Sequence, residues 1–202
     1  MRYPKLRELK EAIKALIIGP YTTKFPHRPH KPFPKFRGAP KYYEDKCVGC
    51  LACAEVCPAK VIDVIDDVKT KIRKLVLHYD ICQFCGNCQA HCIADKEGIQ
   101  LTNEFELSTF DRSTATTSIE KELVVCPHCN SPVTAKEHIL WIYKKLGPLA
   151  YSSPQFMIPA LKELELADQH PAQDRPVESR ADHINVMCPK CRRILKLKEA
   201  YG

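Results

Sequence analysis

Hydrophobic residues along the chain change their spacing several times, and each spacing predicts a different kind of element. Over residues 1–19, apolar side chains recur every three or four residues, which predicts a helix with one apolar stripe: Leu6, Leu9, Ile13, Leu16 and Ile17. Gly19-Pro20 ends this pattern. The basic residues lie mostly off the stripe. A basic amphipathic helix either lies on a membrane surface or a partner subunit, or packs on its own domain, and the pattern is compatible with both.

Residues 20–41 lose this periodicity because prolines and basic residues dominate them. Proline fixes φ and lacks an N–H, so the segment favours an extended, polyproline-like arm over a helix or a central strand. Aromatic residues recur along it at Tyr21, Phe25, Phe33 and Phe36. A free linker has little use for them. We therefore expect an arm that is ordered against another subunit.

Residues 42–105 contain an internal repeat, in which Asp45-Lys46-Cys47 and Asp80-Ile81-Cys82 are 35 residues apart. Short apolar runs typical of strands lie at 61–64, 75–79 and 99–101. Each half therefore reads as a short strand, a run of four cysteines, a short helix and a second short strand. Two such halves predict an α+β domain with a pseudo-twofold axis.

Residues 106–202 form a tail with a pair of cysteines at each end. Thr134, followed by Glu137 as in a capping box, predicts the start of a helix that Gly147-Pro148 ends. A second helix is predicted over about 158–168, and a polar, exposed loop over 170–183.

The composition of the chain indicates the role of its cysteines. The chain has 202 residues, of which 12 are cysteines. Charges interrupt the N-terminal segment, so it does not read as a signal peptide, and no apolar run approaches the ~18 residues of a membrane span. We expect a reducing compartment, with the cysteines serving as metal ligands rather than forming disulfides.

The core cysteines form two runs of identical spacing, with gaps of two, two and three residues. This spacing is typical of bacterial ferredoxins, in which the fourth cysteine of each run ligates the other cluster. It predicts two 4Fe–4S clusters with crossed ligand sets. The first set is Cys47, Cys50, Cys53 and Cys92, and the second is Cys82, Cys85, Cys88 and Cys57. The alternatives are two zinc sites or a set of disulfides, and the tandem spacing favours clusters over both.

The tail cysteines form two Cys-Pro-x-Cys pairs, which are Cys126, Cys129, Cys188 and Cys191. If each pair makes a tight turn, the four thiolates suit one tetrahedral Zn²⁺ with a structural role. This gives a zinc-ribbon-like tail. A mononuclear iron site, or free or bridged thiols, are the alternatives.

Net charge has to be corrected for metal–thiolate charge. The formal value is +7 with every cysteine neutral. A 4Fe–4S core or a zinc ion with four thiolates carries about −2. Two clusters and one zinc would therefore bring the net charge to about +1. This correction weakens the reading as a zinc-ribbon module that binds nucleic acid. No nucleophile, phosphate loop or paired-carboxylate motif stands out, so we expect no catalytic residues in this chain.

The combination of motifs resembles a known family. Phe36-Arg37-Gly38, followed by the two cysteine runs, is similar to the two-cluster ferredoxin-like subunit of respiratory complex I. The tail, with Phe105-Glu106-Leu107, Cys126-Pro-His-Cys129, the stretch 132–137 and Cys188-Pro-Lys-Cys191, resembles the corresponding subunit of formate hydrogenlyase. That complex belongs to the membrane-bound NiFe hydrogenases related to complex I.

The resemblance implies a peripheral subunit at the cytoplasmic face of the membrane, without a transmembrane span. Its clusters would pass electrons between an input module and the hydrogenase small subunit, which leads to the nickel–iron site of the large subunit. The input is formate dehydrogenase acting through another ferredoxin-like subunit, or soluble ferredoxin. The N-terminal helix and the arm would then lie along membrane-arm subunits. The alternative within this class is the complex I subunit that passes electrons toward quinone.

Overall fold

A computed structural model describes residues 5–19, 22, 24–165 and 186–201. The chain divides into two compact units, Met1–Pro34 and Lys35–Gly202. The polar loop predicted at 170–183 and the end of the helix predicted at 158–168 lie outside the described residues.

The first unit contains helix α1 (Leu6–Ile18). Glu8 accepts a hydrogen bond from the backbone N–H of Lys5 at 3.0 Å, and its negative charge lies in the first turn, where the helix dipole favours it. The helix ends at Gly19, which has a φ of 79°. No residue of α1 is buried, and Leu6 and Leu16 are 86% and 85% exposed. The apolar stripe is therefore open. Within the described ranges, no helix has the length and hydropathy needed to cross a bilayer.

The second unit alternates short strands and helices. In chain order they are β1 (Pro40–Tyr42), α2 (Ala52–Glu55), β2 (Ile62–Asp67), β3 (Ile72–His78), α3 (Asn87–Ala90), β4 (Ile99–Leu101), β5 (Thr116–Val125), β6 (Pro132–Ala135), α4 (Lys136–Leu146), α5 (Pro154–Glu163) and α6 (Pro189–Tyr201), with 3-10 turns at Arg112–Thr114 and Gly147–Ser152. This is a mixed fold with a ferredoxin-type order of elements in its first half.

The strands form two antiparallel sheets. β1 pairs with β4, with Tyr42 opposite Ile99. The larger sheet has the order β2-β3-β5-β6. Strand β5 pairs with β3 over its first seven residues and with β6 at its end. The sheet is therefore continuous from the cysteine-rich region into the tail.

The core lies between the two cysteine runs. Leu75 and Leu77 on β3 are each 1% exposed, because alternate residues of this strand face inward. Ile62, Ile99 and Ile119 join them, and cysteine side chains pack against this cluster. Few large apolar residues take part, so the cysteine-lined space occupies part of what would be a hydrophobic core.

Backbone conformation repeats between the two halves. Residues with positive φ recur 35 positions apart, at Gly49 and Phe84, at Leu51 and Gly86, and at Lys60 and Asp95. Positive φ is uncommon outside glycine, so three such pairs indicate that the two cysteine loops have the same backbone path.

Three predictions about the tail need correction. Thr134 does not cap α4; Ala135 is the N-cap, because the Thr134 hydroxyl bonds to His138 Nδ1 at 2.8 Å instead. Helix α5 begins at Pro154, four residues earlier than predicted, with Pro159 inside it. The second cysteine pair does not form a free turn, because Pro189 begins α6 and Cys191 lies in its first turn.

Within the second unit, the segment before β1 makes a close backbone approach at Gly38. Its N–H donates to Thr102 O at 2.8 Å, and the Ala39 N–H donates to Glu104 O at 2.9 Å. A Cβ added at Gly38 would lie 2.7 Å from Thr102 O and 2.8 Å from Glu104 N. These are backbone atoms, which cannot move aside as a flexible side chain does.

We expect Gly38→Ala to lower the free energy of unfolding by about 3 kcal/mol through this overlap. Gly147→Ala is the matched control, since a Cβ there has open space and only the left-handed φ of 55° opposes it, at a cost of about 1 kcal/mol. Urea unfolding followed by circular dichroism measures both. Equal midpoints for the two variants would contradict the close approach.

Candidate metal centres

The eight core cysteines line two separate cavities. The first cavity is lined by Cys47, Cys50, Cys53 and Cys92. The second cavity is lined by Cys57, Cys82, Cys85 and Cys88. In each case three cysteines come from one run and the fourth from the other run. The sequence groups the same residues, and their roles as ligands are taken up below as a proposal.

Two short helices account for this exchange. Helix α2 carries Cys53 and is followed by Cys57, while α3 carries Cys88 and is followed by Cys92. Each helix is a single turn, so the chain moves away from its own loop before the fourth cysteine appears. The last cysteine of each run therefore faces the cavity that the other run surrounds.

Backbone N–H groups point at the sulfur atoms. The Phe84 N–H donates to Cys82 Sγ at 3.4 Å, and the Val61 N–H donates to Cys57 Sγ at 3.5 Å. In the first loop, the N–H of Gly49 lowers the pKa of the Cys47 thiol against the larger effect of burial. Positive φ at Gly49 and Phe84 turns these amides inward. Such concave arrangements of N–H groups stabilise negative charge.

Burial of the thiols and the N–H groups around them show whether these cysteines fit an iron–sulfur core. Burial raises the pKa of the Cys53 thiol to about 12 and that of Cys88 to about 11. Four neighbouring thiolates in a desolvated cavity are unfavourable unless a positively charged centre lies between them, and a metal deprotonates its coordinating thiols. Four convergent sulfurs with N–H donors fit such a centre.

The two cavities differ in the groups behind their walls. Arg73 Nη1 donates to Gly49 O at 3.2 Å, and Lys121 Nζ donates to Glu44 O at 2.7 Å. Both cations lie beside the loop of the first cavity, and they are 4% and 9% exposed. Tyr42 also lines this cavity. None of the three was singled out from the sequence. One sequence signal could have found the two cations. Arg73 lies two residues before Leu75 and Lys121 two residues after Ile119, so each shares the inward face of its strand with a buried apolar residue.

The four tail cysteines form a third group. Their Sγ atoms all lie within 4.8 Å of one another, and those of Cys129 and Cys188 are 3.5 Å apart. Cys126 and Cys129 lie in the turn between β5 and β6, while Cys188 and Cys191 lie at the start of α6. Tetrahedral zinc with Zn–S bonds of about 2.3 Å needs S···S distances of about 3.8 Å, which this spacing matches.

Hydrogen bonds lower the pKa of two of the four tail cysteines. The backbone N–H of Cys191 donates to Cys188 Sγ at 3.4 Å and lowers the pKa of Cys188 to about 6. Ser131 likewise lowers the pKa of Cys129. Thiolates are the form that binds metal. His128, which lies inside the first pair, is exposed and is not part of the group.

Comparisons with known proteins agree with this geometry. A family model described as a 4Fe-4S dicluster domain matches residues 46–96, which contain all the cysteines of the two cavities. The chain is 34% identical over 120 residues to NADH-quinone oxidoreductase subunit I 2 of Geobacter metallireducens, a match that covers 55% of this chain and 90% of that protein. It is 29% identical over 126 residues to formate hydrogenlyase subunit 6 of Escherichia coli K12, covering 62% and 69%.

Among solved structures, a chain of the membrane-bound sulfane sulfur reductase, an archaeal respiratory membrane complex, matches with a TM-score of 0.41 and 25% identity, over 57% of this chain and 61% of that chain. The sequence matches agree with the cysteine spacing of the two cavities. The chain therefore belongs to the family of 4Fe–4S electron-transfer subunits represented by NADH-quinone oxidoreductase subunit I.

Proposed function

We propose that this chain relays electrons within a membrane-bound hydrogenase or respiratory complex through two 4Fe–4S clusters. One observation carries the proposal: each of two cavities is lined by four cysteines, three from one run and one from the other. When bound, such clusters supply one-electron transfer at a potential that their surroundings tune. The protein's part is to hold them, exclude water and position them toward partners.

The ligand sets in this proposal follow the cavities. Cys47, Cys50, Cys53 and Cys92 hold the cluster of the first cavity, and Cys57, Cys82, Cys85 and Cys88 hold that of the second. A small residue keeps the chain close to the first site: a Cβ at Gly98 would lie 3.0 Å from Cys92 Sγ and 3.2 Å from Cys47 Cα. Because each run contributes to both sites, the two halves are tied together and the separation of the clusters is constant.

In the tail, we assign one structural Zn²⁺ to Cys126, Cys129, Cys188 and Cys191. The group joins the β5–β6 turn to the start of α6, two segments that are distant in sequence. Zinc has no redox chemistry, so its contribution is to stability. It holds the end of β5, the strand that pairs with β3 of the ferredoxin-type region.

The first candidate for the complex is a membrane-bound NiFe hydrogenase, with formate dehydrogenase or a ferredoxin as the electron input and the hydrogenase small subunit as the acceptor. The match to formate hydrogenlyase subunit 6 supports it, as do the Cys-Pro-x-Cys pairs of the tail. The second candidate is a complex that reduces quinone. The 34% identity to an NADH-quinone oxidoreductase subunit I supports that candidate.

We place the chain at the cytoplasmic face of the membrane, beside membrane-arm subunits. Helix α1 supports this placement, since its apolar stripe is open along its whole length and Lys10 and Lys14 flank it. Such a helix binds an interface between water and apolar surface through burial of the stripe and attraction of its basic residues.

The crossed ligand sets can be tested by pairing substitutions. We expect anaerobically prepared protein to contain about eight irons per chain and to give two electron paramagnetic resonance signals after reduction. Cys92→Ser should alter the same signal as Cys50→Ser, and Cys57→Ser the same signal as Cys85→Ser, because each pair shares a cavity. If Cys57→Ser altered the signal of Cys50→Ser instead, each run would hold its own cluster and the crossing would be wrong.

The zinc assignment predicts a separate phenotype. Cys188→Ser should remove about one zinc per chain and lower stability, as expected for a four-thiolate site that contributes folding energy, while the iron content stays the same. His128→Ala, a change inside the first cysteine pair at an exposed side chain, is the matched control and should keep the zinc. Elemental analysis and thermal unfolding measure both. Iron in place of zinc, or an unchanged metal content in Cys188→Ser, would count against the assignment.

The relay role is tested in the complex purified from its source. Cys85→Ser should abolish hydrogen production driven by the input module, yet leave hydrogen oxidation with an artificial dye intact, since the dye reaches the hydrogenase directly. His128→Ala should retain both activities. Loss of quinone reduction, with no hydrogenase among the co-purifying subunits, would assign the second candidate. Full coupled activity in Cys85→Ser would rule out both.

A further inference from the structure

The groups behind the two cavities are unequal, although the two cysteine loops repeat. We infer that Arg73, Lys121 and Tyr42 give the cluster of the first cavity the higher reduction potential of the two, so that it is reduced first. The inference rests on the proposed ligand sets and goes beyond them, because it assigns an order to two sites that the cysteine spacing makes equivalent.

The sheet brings the two cations together. Arg73 on β3 and Lys121 on β5 are direct cross-strand partners, and both take inward positions. Like charges directly opposite each other on a sheet are unfavourable, so a nearby negative charge has to offset their repulsion. Both reach the first loop, Arg73 at Gly49 O and Lys121 at Glu44 O.

Acidic side chains offset these charges only in part. Asp66 pairs with Arg73 through two hydrogen bonds of 2.7 and 2.8 Å. Glu137 lies 3.5 Å from Lys121, on the more exposed side of that pair. Arg73 and Lys121 stay buried beside the first cavity, where they contact the Gly49 and Glu44 carbonyls. They therefore add positive charge to the surroundings of that cavity.

Tyr42 adds a dipole to the same site. Its hydroxyl is buried and makes no hydrogen bond of ordinary geometry to the described residues. It lines the first cavity together with Cys53. A buried hydroxyl of this kind needs an acceptor, and a thiolate sulfur of the first cavity is the one at hand.

The second cavity lacks these groups. Leu77, which lies 35 positions after Tyr42, lines it in place of a hydroxyl. Neither cavity has a charged side chain among its described lining residues, so the difference in charge comes from Arg73 and Lys121, which are buried behind the loop of the first cavity. Arg37 donates to Cys85 O at 3.0 Å, but this contact is exposed, so water and salt screen the charge. The repeat therefore provides an internal control for the comparison of the two sites.

Reduction by one electron adds one negative charge to the cluster in either cavity, while the number of thiolates around it stays the same. Buried positive charge and a hydrogen bond to sulfur stabilise that added charge, and both raise the potential of an iron–sulfur cluster. Backbone N–H groups face sulfur in both cavities. Among the described residues, buried cations and a buried hydroxyl lie only at the first cavity, so it should accept the first electron.

The test is a redox titration of the full chain with both clusters bound, with dithionite as the reductant and electron paramagnetic resonance as the readout. The signals are assigned by the ligand variants Cys92→Ser and Cys57→Ser. We expect the signal that appears first in the unsubstituted protein to be the one that Cys92→Ser alters. If the other signal appeared first while both clusters were present, the inference would be overturned and the two-cluster proposal would stand.

Substitutions identify the cause. Lys121→Gln and Arg73→Gln should each lower the ratio of reduced to oxidised first-cavity cluster at a fixed potential by about tenfold, or about 59 mV for one electron. Tyr42→Phe, which keeps the ring and removes only the hydroxyl, should cause a smaller change in the same direction. Lys121→Arg keeps the charge, and Arg37→Gln removes the exposed cation near the second cavity, so both should change the ratios little.

Iron content distinguishes this outcome from structural damage. A variant that retains about eight irons and both signals, with the first-cavity ratio lowered and the second unchanged, supports the inference. If Arg73→Gln failed to fold, Lys121→Gln and Tyr42→Phe would decide the matter. Unshifted ratios in both of these, with both clusters present, would overturn the role of the three residues.

Discussion

The fold depends on burying thiols in groups of four. An isolated buried thiol remains protonated, and burial together with the neighbouring Cys47 and Cys50 thiolates raises the pKa of Cys53 to about 12. Four such groups around one cavity become a stable arrangement when a positive centre ionises them and binds them together. The surrounding apolar cluster is small, with Leu75 and Leu77 at its centre. Cofactor binding and folding of this region are therefore coupled, as in other small metal-dependent domains.

The larger sheet connects the two cysteine-rich regions of the second unit. Strand β5 pairs with β3 through seven residues and then reaches Cys126 directly after its last residue, Val125. Lys121 lies on this strand, between the first cavity and the four tail cysteines. An ion held by those cysteines would restrain the end of β5 and with it the position of Lys121. Although the tail group is redox-inactive as zinc, it would then support the surroundings of the first cavity.

Cysteine spacing is a strong predictor here because each run is short and its geometry local. Gaps of two and three residues limit which sulfurs one loop can place around one cavity, and the lining of the two cavities groups the cysteines as the spacing does. The tail was less predictable. Thr134 and Glu137 have the spacing of a capping box. The Thr134 hydroxyl bonds to His138 instead, and the Glu137 carboxylate lies beside Lys121. One competitor of the capping box is another local contact, four residues along the chain, and the other is a tertiary contact with β5. The start of α6 at Pro189 was missed because a knuckle and a helix start with proline at N1 share the same Cys-Pro signature.

The inward cations were not predicted for a different reason: a formal net charge does not distinguish buried residues from exposed ones. The formal +7 counts Arg73 and Lys121 with the exposed lysines, although both are buried. A buried cation is costly unless negative charge lies nearby, and at Lys121 the acidic partner is both more distant than a hydrogen bond and partly exposed. Both cations also contact carbonyl oxygens beside the first cavity, and under the proposed ligand sets the thiolates of that cavity would supply further negative charge. A basic residue at an inward position of a strand is therefore a sequence signal for a buried negative partner, while the strand pairing shows which cavity lies beside it.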